Sequence, residues 1–115
     1  MILLEATVNG KPAVFVLDTG AQNSIASLQM AGMYANLSPL MAGKGVGAGG
    51  EYVKAKIDLR LEKRHWIERP ILAMDLSDAS KRLGTRIDGF VGQDILREFS
   101  AVRIDYKAGL VEFEK

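Results

Sequence analysis

The residue best placed to do chemistry in this sequence is an aspartate at the end of an apolar run. Asp18 follows AVFVL (13–17) directly, and Thr19, Gly20 and Ala21 come after it. A strand that is apolar on both faces is expected to be buried, so it would hold the carboxylate in a fixed, dry setting that suits acid–base catalysis. The alternative is a turn aspartate that accepts hydrogen bonds from neighbouring backbone N–H groups.

Other reactive groups are scarce in the chain. It has no cysteine, which excludes thiol nucleophiles, disulfides and cysteine-ligated metals. His65 is the single histidine and lies in EKRHWIER, where a solvated strand residue is the simpler interpretation. A zinc hydrolase is not indicated, because the chain has no second histidine at metal-ligand spacing. No serine lies in a G-x-S-x-G pattern, so the sequence does not indicate a nucleophilic serine of that type. Carboxylates remain as the reactive groups, and we expect no metal and no cofactor.

The elements that must position Asp18 are mostly strands. Alternating apolar residues over 2–8 and the turn pair Asn9-Gly10 predict a hairpin with the run 13–17. Strict alternation over 53–62 predicts a long amphipathic strand, and 66–74 predicts another that is broken at Pro70. Further strands are predicted within 86–91 and 101–113, short helices at 27–37 and 92–99, and a loop or helical turn at 75–84. The sequence therefore predicts an all-β fold, a small barrel or folded-over sheet with one or two short helices.

Five glycines occupy the eight positions 43–50, GKGVGAGG. A flexible linker is the usual interpretation of such a composition. The regular strand that follows favours the mobile tip of a hairpin instead, because the glycines would directly adjoin it.

Composition limits the class of protein. The 115 residues are 48% hydrophobic and 25% charged, as expected for one globular domain over 1–115, either complete or excised from a longer chain. A net charge of +1 without charged blocks predicts no nucleic-acid partner. No signal peptide or membrane span is evident, so we expect a soluble segment with no membrane contact; a cytoplasmic location is compatible with this and otherwise unknown.

Together these motifs resemble those of the retropepsins, the retroviral-type aspartic proteases, and in particular their single-domain cellular and bacterial relatives. The resemblance covers about 11–113, and its most specific parts are LDTGA at 17–21 and FVGQDIL at 90–96. It implies a small closed barrel with a glycine-rich flap hairpin. It also implies an aspartic endopeptidase that hydrolyses peptide bonds in an extended polypeptide.

Acid protease chemistry needs two carboxyls, one to activate water and one to protonate the carbonyl oxygen. None of the other aspartates is followed by Thr or Ser and then Gly. We therefore expect a symmetric homodimer in which each subunit supplies Asp18 across a two-fold axis. Two like charges a few ångströms apart cannot both ionise cheaply, which predicts activity at acidic pH.

The resemblance also implies roles for the neighbouring residues. Thr19 would form a hydrogen bond across the dimer axis, Gly20 would let the backbone approach the carboxylates, and Ala21 completes the motif. The flap would close over the substrate, and side-chain pockets would be lined by Val46 and by the apolar pair before the late glycine. The predicted substrate-binding residues are Val46, Gly47, Ala48, Gly49, Gly50, Phe90 and Val91.

Some positions depart from the retroviral pattern. Gln22, Asn23 and Gln93 stand where those enzymes usually carry two acids and an arginine, so the ion pair would become at most an amide pair, and Ala48 replaces a larger flap residue. The tail YKAGLVEFEK (106–115) is predicted to form a hairpin that alters the dimer interface. Two other functions stay open: a dimeric module of this fold that binds peptides but cuts them poorly or not at all, and a monomeric β-domain that serves as a scaffold.

Overall fold

The structure, a computed structural model, describes residues 1–32, 44–47 and 50–114. Within these residues the chain forms nine strands and two short helices. In chain order they are β1 (Leu3–Val8), β2 (Lys11–Leu17), β3 (Ile25–Ser27), β4 (Lys44–Gly47), β5 (Gly50–Leu61), β6 (Arg64–Met74), α1 (Ser77–Leu83), β7 (Gly89–Val91), α2 (Gln93–Leu96), β8 (Ala101–Asp105) and β9 (Leu110–Glu114).

Six of the strands close into a barrel. Its strand order is β1, β2, β7, β3, β6 and β5, and β5 pairs again with β1 from Ala6 opposite Leu61 to Val8 opposite Leu59. β4 extends the sheet beyond β5. Closure satisfies the backbone groups that an open sheet would leave at its edges. The predicted all-β closed barrel with one or two short helices is thus confirmed as a fold class, although one of the two helices, α1, lies where a loop or helical turn is predicted.

The first hairpin forms as its pattern predicts. Asn9 and Gly10 both have positive φ, 52° and 81°, as the tight turn between β1 and β2 requires. The alternating residues of β1 and the preceding Ile2 point into the barrel, where Val8 and Phe15 are fully buried. This burial orients β2 and therefore fixes where the chain leaves the barrel after Leu17.

The predicted break at Pro70 is wrong. β6 runs unbroken from Arg64 to Met74, and its irregularity lies at Glu68, which has a φ of 50° beside a register shift in β5 between Ile57 and Leu59. β6 pairs with β3 only from Leu72 onward, so at Pro70 it has a partner on one side. A proline is tolerated in a stretch paired on one side, because a residue whose nitrogen faces the open edge contributes no N–H to the ladder.

The predicted helix at 27–37 is also wrong in the part that the structure describes. Ile25–Ser27 is a strand, parallel to β6 and antiparallel to β7, and turns follow as far as Gly32. Ser27 Oγ does accept the N–H of Met30 at 3.1 Å, but this cap serves a single turn. Of the predicted helix, Ser27 belongs to β3, where it pairs with Met74 of β6. Residues 33–37 lie outside the described part.

The other elements follow the sequence more closely. α1 ends at Gly84, whose φ of 73° is the left-handed geometry common after helices. α2 is shorter than predicted, with four residues. β8 and β9 form the predicted tail hairpin as a separate two-stranded sheet whose inner residues, including Val102 and Phe113, pack on the core. Neither helix of the described ranges has the length and apolar character to cross a bilayer.

Candidate active site

Asp18 is the first residue after β2, where β2 runs parallel to β7. The last paired residues of the two strands are Leu17 and Val91, and the N–H of Asp18 donates to the carbonyl of Val91 at 2.9 Å. Its half-buried carboxylate accepts the N–H of Gly20 through Oδ1 at 3.1 Å. Within the described part of the chain no hydrogen bond reaches Oδ2. One carboxylate oxygen is thus held within the turn by a neighbouring backbone N–H, as the turn-aspartate interpretation predicts.

The late glycine motif lies directly against the loop that carries Asp18. A Cβ on Gly92 would lie 2.8 Å from the carbonyl oxygen of Ala21 and 3.0 Å from the backbone of Asn23, so only glycine fits without displacement. The N–H of Gln93 donates to the carbonyl of Ala21 at 2.8 Å. Two motifs that are more than 70 residues apart in sequence are therefore joined backbone to backbone.

Ser24 and Asp94 hold the same junction from inside the protein. Asp94 Oδ1 accepts the hydroxyl of Ser24 at 2.6 Å and its N–H at 2.9 Å, and Ser24 Oγ accepts the N–H of Gly92 at 2.8 Å. Ser24 is 1% exposed, so each of these polar groups depends on its partner. Sequence reasoning missed this pair. The single available signal was that Asp94 lies inside the late motif, and nothing indicated which residue it contacts.

Gln93 does not form an amide pair with Gln22 or Asn23. Its Nε2 donates to the carbonyl oxygen of Thr19 at 2.7 Å, and no bond to the side chains of Gln22 or Asn23 is found in the described residues. The loop after Asp18 is therefore held at Thr19 by a neutral hydrogen bond. Thr19 and Gly20 themselves are exposed.

A cleft of about 340 Å³ opens beside Asp18. The predicted pocket residue Phe90 lines it, whereas Val91 is 1% exposed and packs in the core, so Val91 contributes its carbonyl to Asp18 rather than a pocket wall. One wall comes from α1 and the residues before it, which the sequence did not indicate. The lining residues are Asp18, Ala21, Ile25, Met74, Asp75, Leu76, Ala79, Arg82 and Phe90.

The glycine-rich segment forms a paired hairpin. Lys44 to Gly47 in β4 pair with Val53 to Gly50 in β5, which favours a hairpin over a linker. Tyr52 pairs with Met74, a residue of the cleft, so the base of the hairpin adjoins the cleft. Of the predicted flap residues, Val46, Gly47 and Gly50 lie on these strands, while Ala48 and Gly49 lie outside the described residues.

The fold and site define a retropepsin-like domain. A sequence model of the family described as aspartyl protease matches residues 4–95. The chain therefore belongs to the aspartyl protease family. No curated protein gives a significant match.

Solved structures share the fold at low sequence identity. A retropepsin-like aspartic protease from Rickettsia conorii is 16% identical with a TM-score of 0.61, over 90% of this chain and 75% of that one. The retroviral protease-like domain of Ddi1 from Leishmania major is 22% identical with a TM-score of 0.64, over 100% and 89%. EIAV protease, solved with the inhibitor HBY-793, is 20% identical with a TM-score of 0.57, over 90% and 91%.

Proposed function

We propose that the protein is an aspartic endopeptidase whose active site is completed by a second copy of the chain. The observation that carries this proposal is the position of Asp18, which lines a cleft and has its backbone fixed to β7. The family assignment supports a hydrolytic role. Because the chain supplies one aspartate of this kind, its partner is the Asp18 of a symmetry-related subunit.

Asp75 lines the same cleft but is a poor candidate for the second catalytic carboxyl. Its Oδ1 accepts both the N–H and the hydroxyl of Ser77, at 2.9 and 2.7 Å. These hydrogen bonds, with the charge of Lys81, outweigh its slight burial and lower the pKa of Asp75 below the ordinary 3.8. A carboxyl that is stabilised in its ionised form does not readily share or donate a proton.

In the proposed reaction the two Asp18 carboxyls share one proton and hold a water between them. The ionised carboxyl takes a proton from the water as its oxygen attacks the peptide carbonyl carbon, and the protonated carboxyl gives its proton to the carbonyl oxygen. The tetrahedral diol then collapses: the newly protonated carboxyl gives its proton to the leaving amine, the ionised carboxyl takes a proton from a hydroxyl of the diol, and the C–N bond breaks to leave a carboxylic acid and an amine. The proton inventory of the pair is restored, so no cofactor is consumed.

The face that carries Thr19 and Gly20 is proposed as the centre of the dimer. Both residues are exposed in the single chain, and Gln93 holds the backbone of Thr19 so that the loop keeps its shape. The hairpin β8–β9 is proposed to extend this interface, because it is a separate two-stranded sheet with exposed apolar side chains at Tyr106 and Leu110. The β4–β5 hairpin would act as the flap over an extended polypeptide.

Cleavage of a denatured protein at pH 4–6 tests the proposal. Wild-type protein should produce fragments, Asp18→Ala should produce none, and Asp75→Asn, a matched change in the same cleft, should retain cleavage. Fragments from both wild type and Asp18→Ala, or from neither, would contradict the proposal. Retained binding of the intact polypeptide without cleavage would favour the peptide-binding module of the same fold.

A further inference from the structure

The wall that α1 contributes to the cleft combines a small residue with a cationic one. Ala79 and Arg82 both line the cleft and are three residues apart, so they lie on one face of the helix. Ala79 occupies little volume. Arg82 lies in the last turn of α1 and is exposed to solvent. The wall thus offers space and a positive charge at the same opening.

The remaining side chains give the cleft an apolar interior. Met74 and Leu76 are buried at the end of β6 and just after it, and Ile25 and Phe90 are half-buried on the paired strands β3 and β7. Such a lining can hold an apolar side chain of a bound polypeptide. The charged residues at the rim then contact the residues of the polypeptide on either side of it.

The guanidinium of Arg82 can bind a charged side chain of the bound polypeptide. None of the ion pairs found among residues 1–32, 44–47 and 50–114 uses its guanidinium. A guanidinium presents a planar set of donors that matches a carboxylate with two parallel hydrogen bonds. A lysine or arginine on the bound chain would instead meet a like charge at this position.

The cleft carries acidic side chains as well. Asp75 is held in its ionised form by its hydrogen bonds to Ser77, and Asp18 lies in the same lining. Arg82 is the one cationic side chain among the described residues of this lining, so an acidic side chain of the bound chain has Arg82 as its partner there.

We propose that Arg82 recognises an acidic side chain of the bound polypeptide, close to the apolar side chain that enters the cleft. This inference rests on the proposed function, since it names the substrate class of the same site. Arg82 acts as a specificity-determining residue and takes no part in bond cleavage.

Two series of matched peptides test it. Each has a central apolar pair, and one flanking position at a time carries Glu in one series and Lys in the other. For wild type, kcat/KM should favour Glu by at least about threefold at one or more positions, the scale expected of an exposed ion pair. Arg82→Gln should abolish the difference and Arg82→Glu should reverse it.

Lys81→Glu is the matched control, because it makes the same charge change one residue away on α1 and outside the cleft lining. It should keep the preference for Glu. A ratio that is unchanged in Arg82→Glu, or equally reversed in Lys81→Glu, would overturn the assignment to Arg82.

Binding separates this inference from the proposed function. The same labelled peptides are titrated against Asp18→Ala and against Asp18→Ala combined with Arg82→Glu, with fluorescence anisotropy as the readout. A Glu preference that reverses between the two proteins supports the role of Arg82 even if wild type cleaves nothing, in which case the protease proposal alone fails. Equal affinities for the Glu and Lys peptides in both proteins would contradict the inference while leaving cleavage by Asp18 intact.

Discussion

At Gly92 the backbone of the late motif touches the loop that carries Asp18. A methyl group there would meet the Ala21 carbonyl at 2.8 Å, and this neighbour is backbone that cannot rotate away. We expect Gly92→Ala to lower the free energy of unfolding by about 2 kcal/mol, the scale of an overpacked site, and to displace the 18–23 loop. Urea unfolding measures the change.

Gly20→Ala is the control for that substitution when unfolding is measured at a protein concentration too low for dimers, because among the described residues the added Cβ would have Asp18 Oδ1 near it, at 3.6 Å, which is ordinary contact. Its effect on stability should be small. Equal losses of unfolding free energy in the two variants would show that the close approach at Gly92 is not the cause.

We expect Asp94 to act as a positioning residue through the hydrogen bonds that it accepts from Ser24. Asp94→Ala would leave the buried N–H and hydroxyl of Ser24 without an acceptor, at a cost of about 1–3 kcal/mol. Asp94→Asn keeps an oxygen at the same place and should recover most of the stability and most of kcat. Asp105→Ala, which removes a comparable acceptor from the exposed turn at Ala108, is the control and should leave kcat unchanged. The role is refuted if the alanine and asparagine variants at 94 lose kcat equally.

Asp18 and Gly92 could be found from the sequence because each lies in a local motif, an aspartate after an apolar strand and a glycine after two apolar residues. Ser24 could not, since its partner is 70 residues away and only the folded chain shows that they meet. The same applies to Arg82, whose place in the lining of the cleft depends on how α1 follows β6. Local pattern thus predicts the reactive group, whereas its supports depend on tertiary contacts.

Among the elements, long strands were predictable and short ones were not. β5 and the hairpin β1–β2 carry enough alternating residues to be recognised, but β3 has three residues and forms because both neighbours pair with it. β6 continues through Pro70 for a similar reason, since the pairing with β5 decides which backbone groups are needed. Tertiary pairing overrides local preference where an element is too short to show a period.

Glu98 ties the end of α2 to β6. It accepts the indole N–H of Trp66 at 2.9 Å and forms an ion pair with Arg69, while Arg64 lies 3.7 Å away. Burial raises the pKa of Glu98, but the hydrogen bonds from Trp66 and Arg69 and the charges of Arg69 and Arg64 outweigh it, so the pKa is lowered from the ordinary 4.5. This element contact therefore depends on the ionised form.

A carboxyl whose pKa is lower in the folded than in the unfolded protein stabilises the folded state at every pH above its unfolded-state pKa. This contribution is lost as the pH falls through its folded-state pKa. We expect wild type to lose part of its unfolding free energy below about pH 4.5, and Glu98→Gln to lose less over that range while being less stable at pH 7. Chemical unfolding at pH 3 to 7 measures both. Glu112→Gln, an exposed acid beside Arg103, should follow the wild-type curve, and a Glu98→Gln curve parallel to wild type would contradict the assignment.

The tail hairpin offers a test of the proposed interface at the scale of an element. Leu110 is 63% exposed in the single chain, and Leu110→Glu would place a charge where the dimer is proposed to bury an apolar side chain. The dimer dissociation constant measured by sedimentation should rise by about tenfold or more. Ile67→Glu, at an equally exposed apolar residue on β6, should leave it unchanged. Dissociation by both variants, or by neither, would place the interface elsewhere.

For the whole molecule, the chain holds one half of the proposed reaction centre, and this distinguishes it from an enzyme complete in one subunit. If Asp18 acts alone, equal mixtures of wild type and Asp18→Ala would keep about half of the activity of the same amount of wild type. If two Asp18 residues act together, random exchange of subunits leaves about a quarter of the dimers with both carboxyls, and activity should fall to that level. The activity of the mixture is measured at once and again after the subunits have exchanged. This separates the two cases, because half of the activity must remain as long as no exchange has occurred. Asp75→Asn in place of Asp18→Ala is the control, and an exchanged mixture that keeps half of its activity would show that one subunit is sufficient.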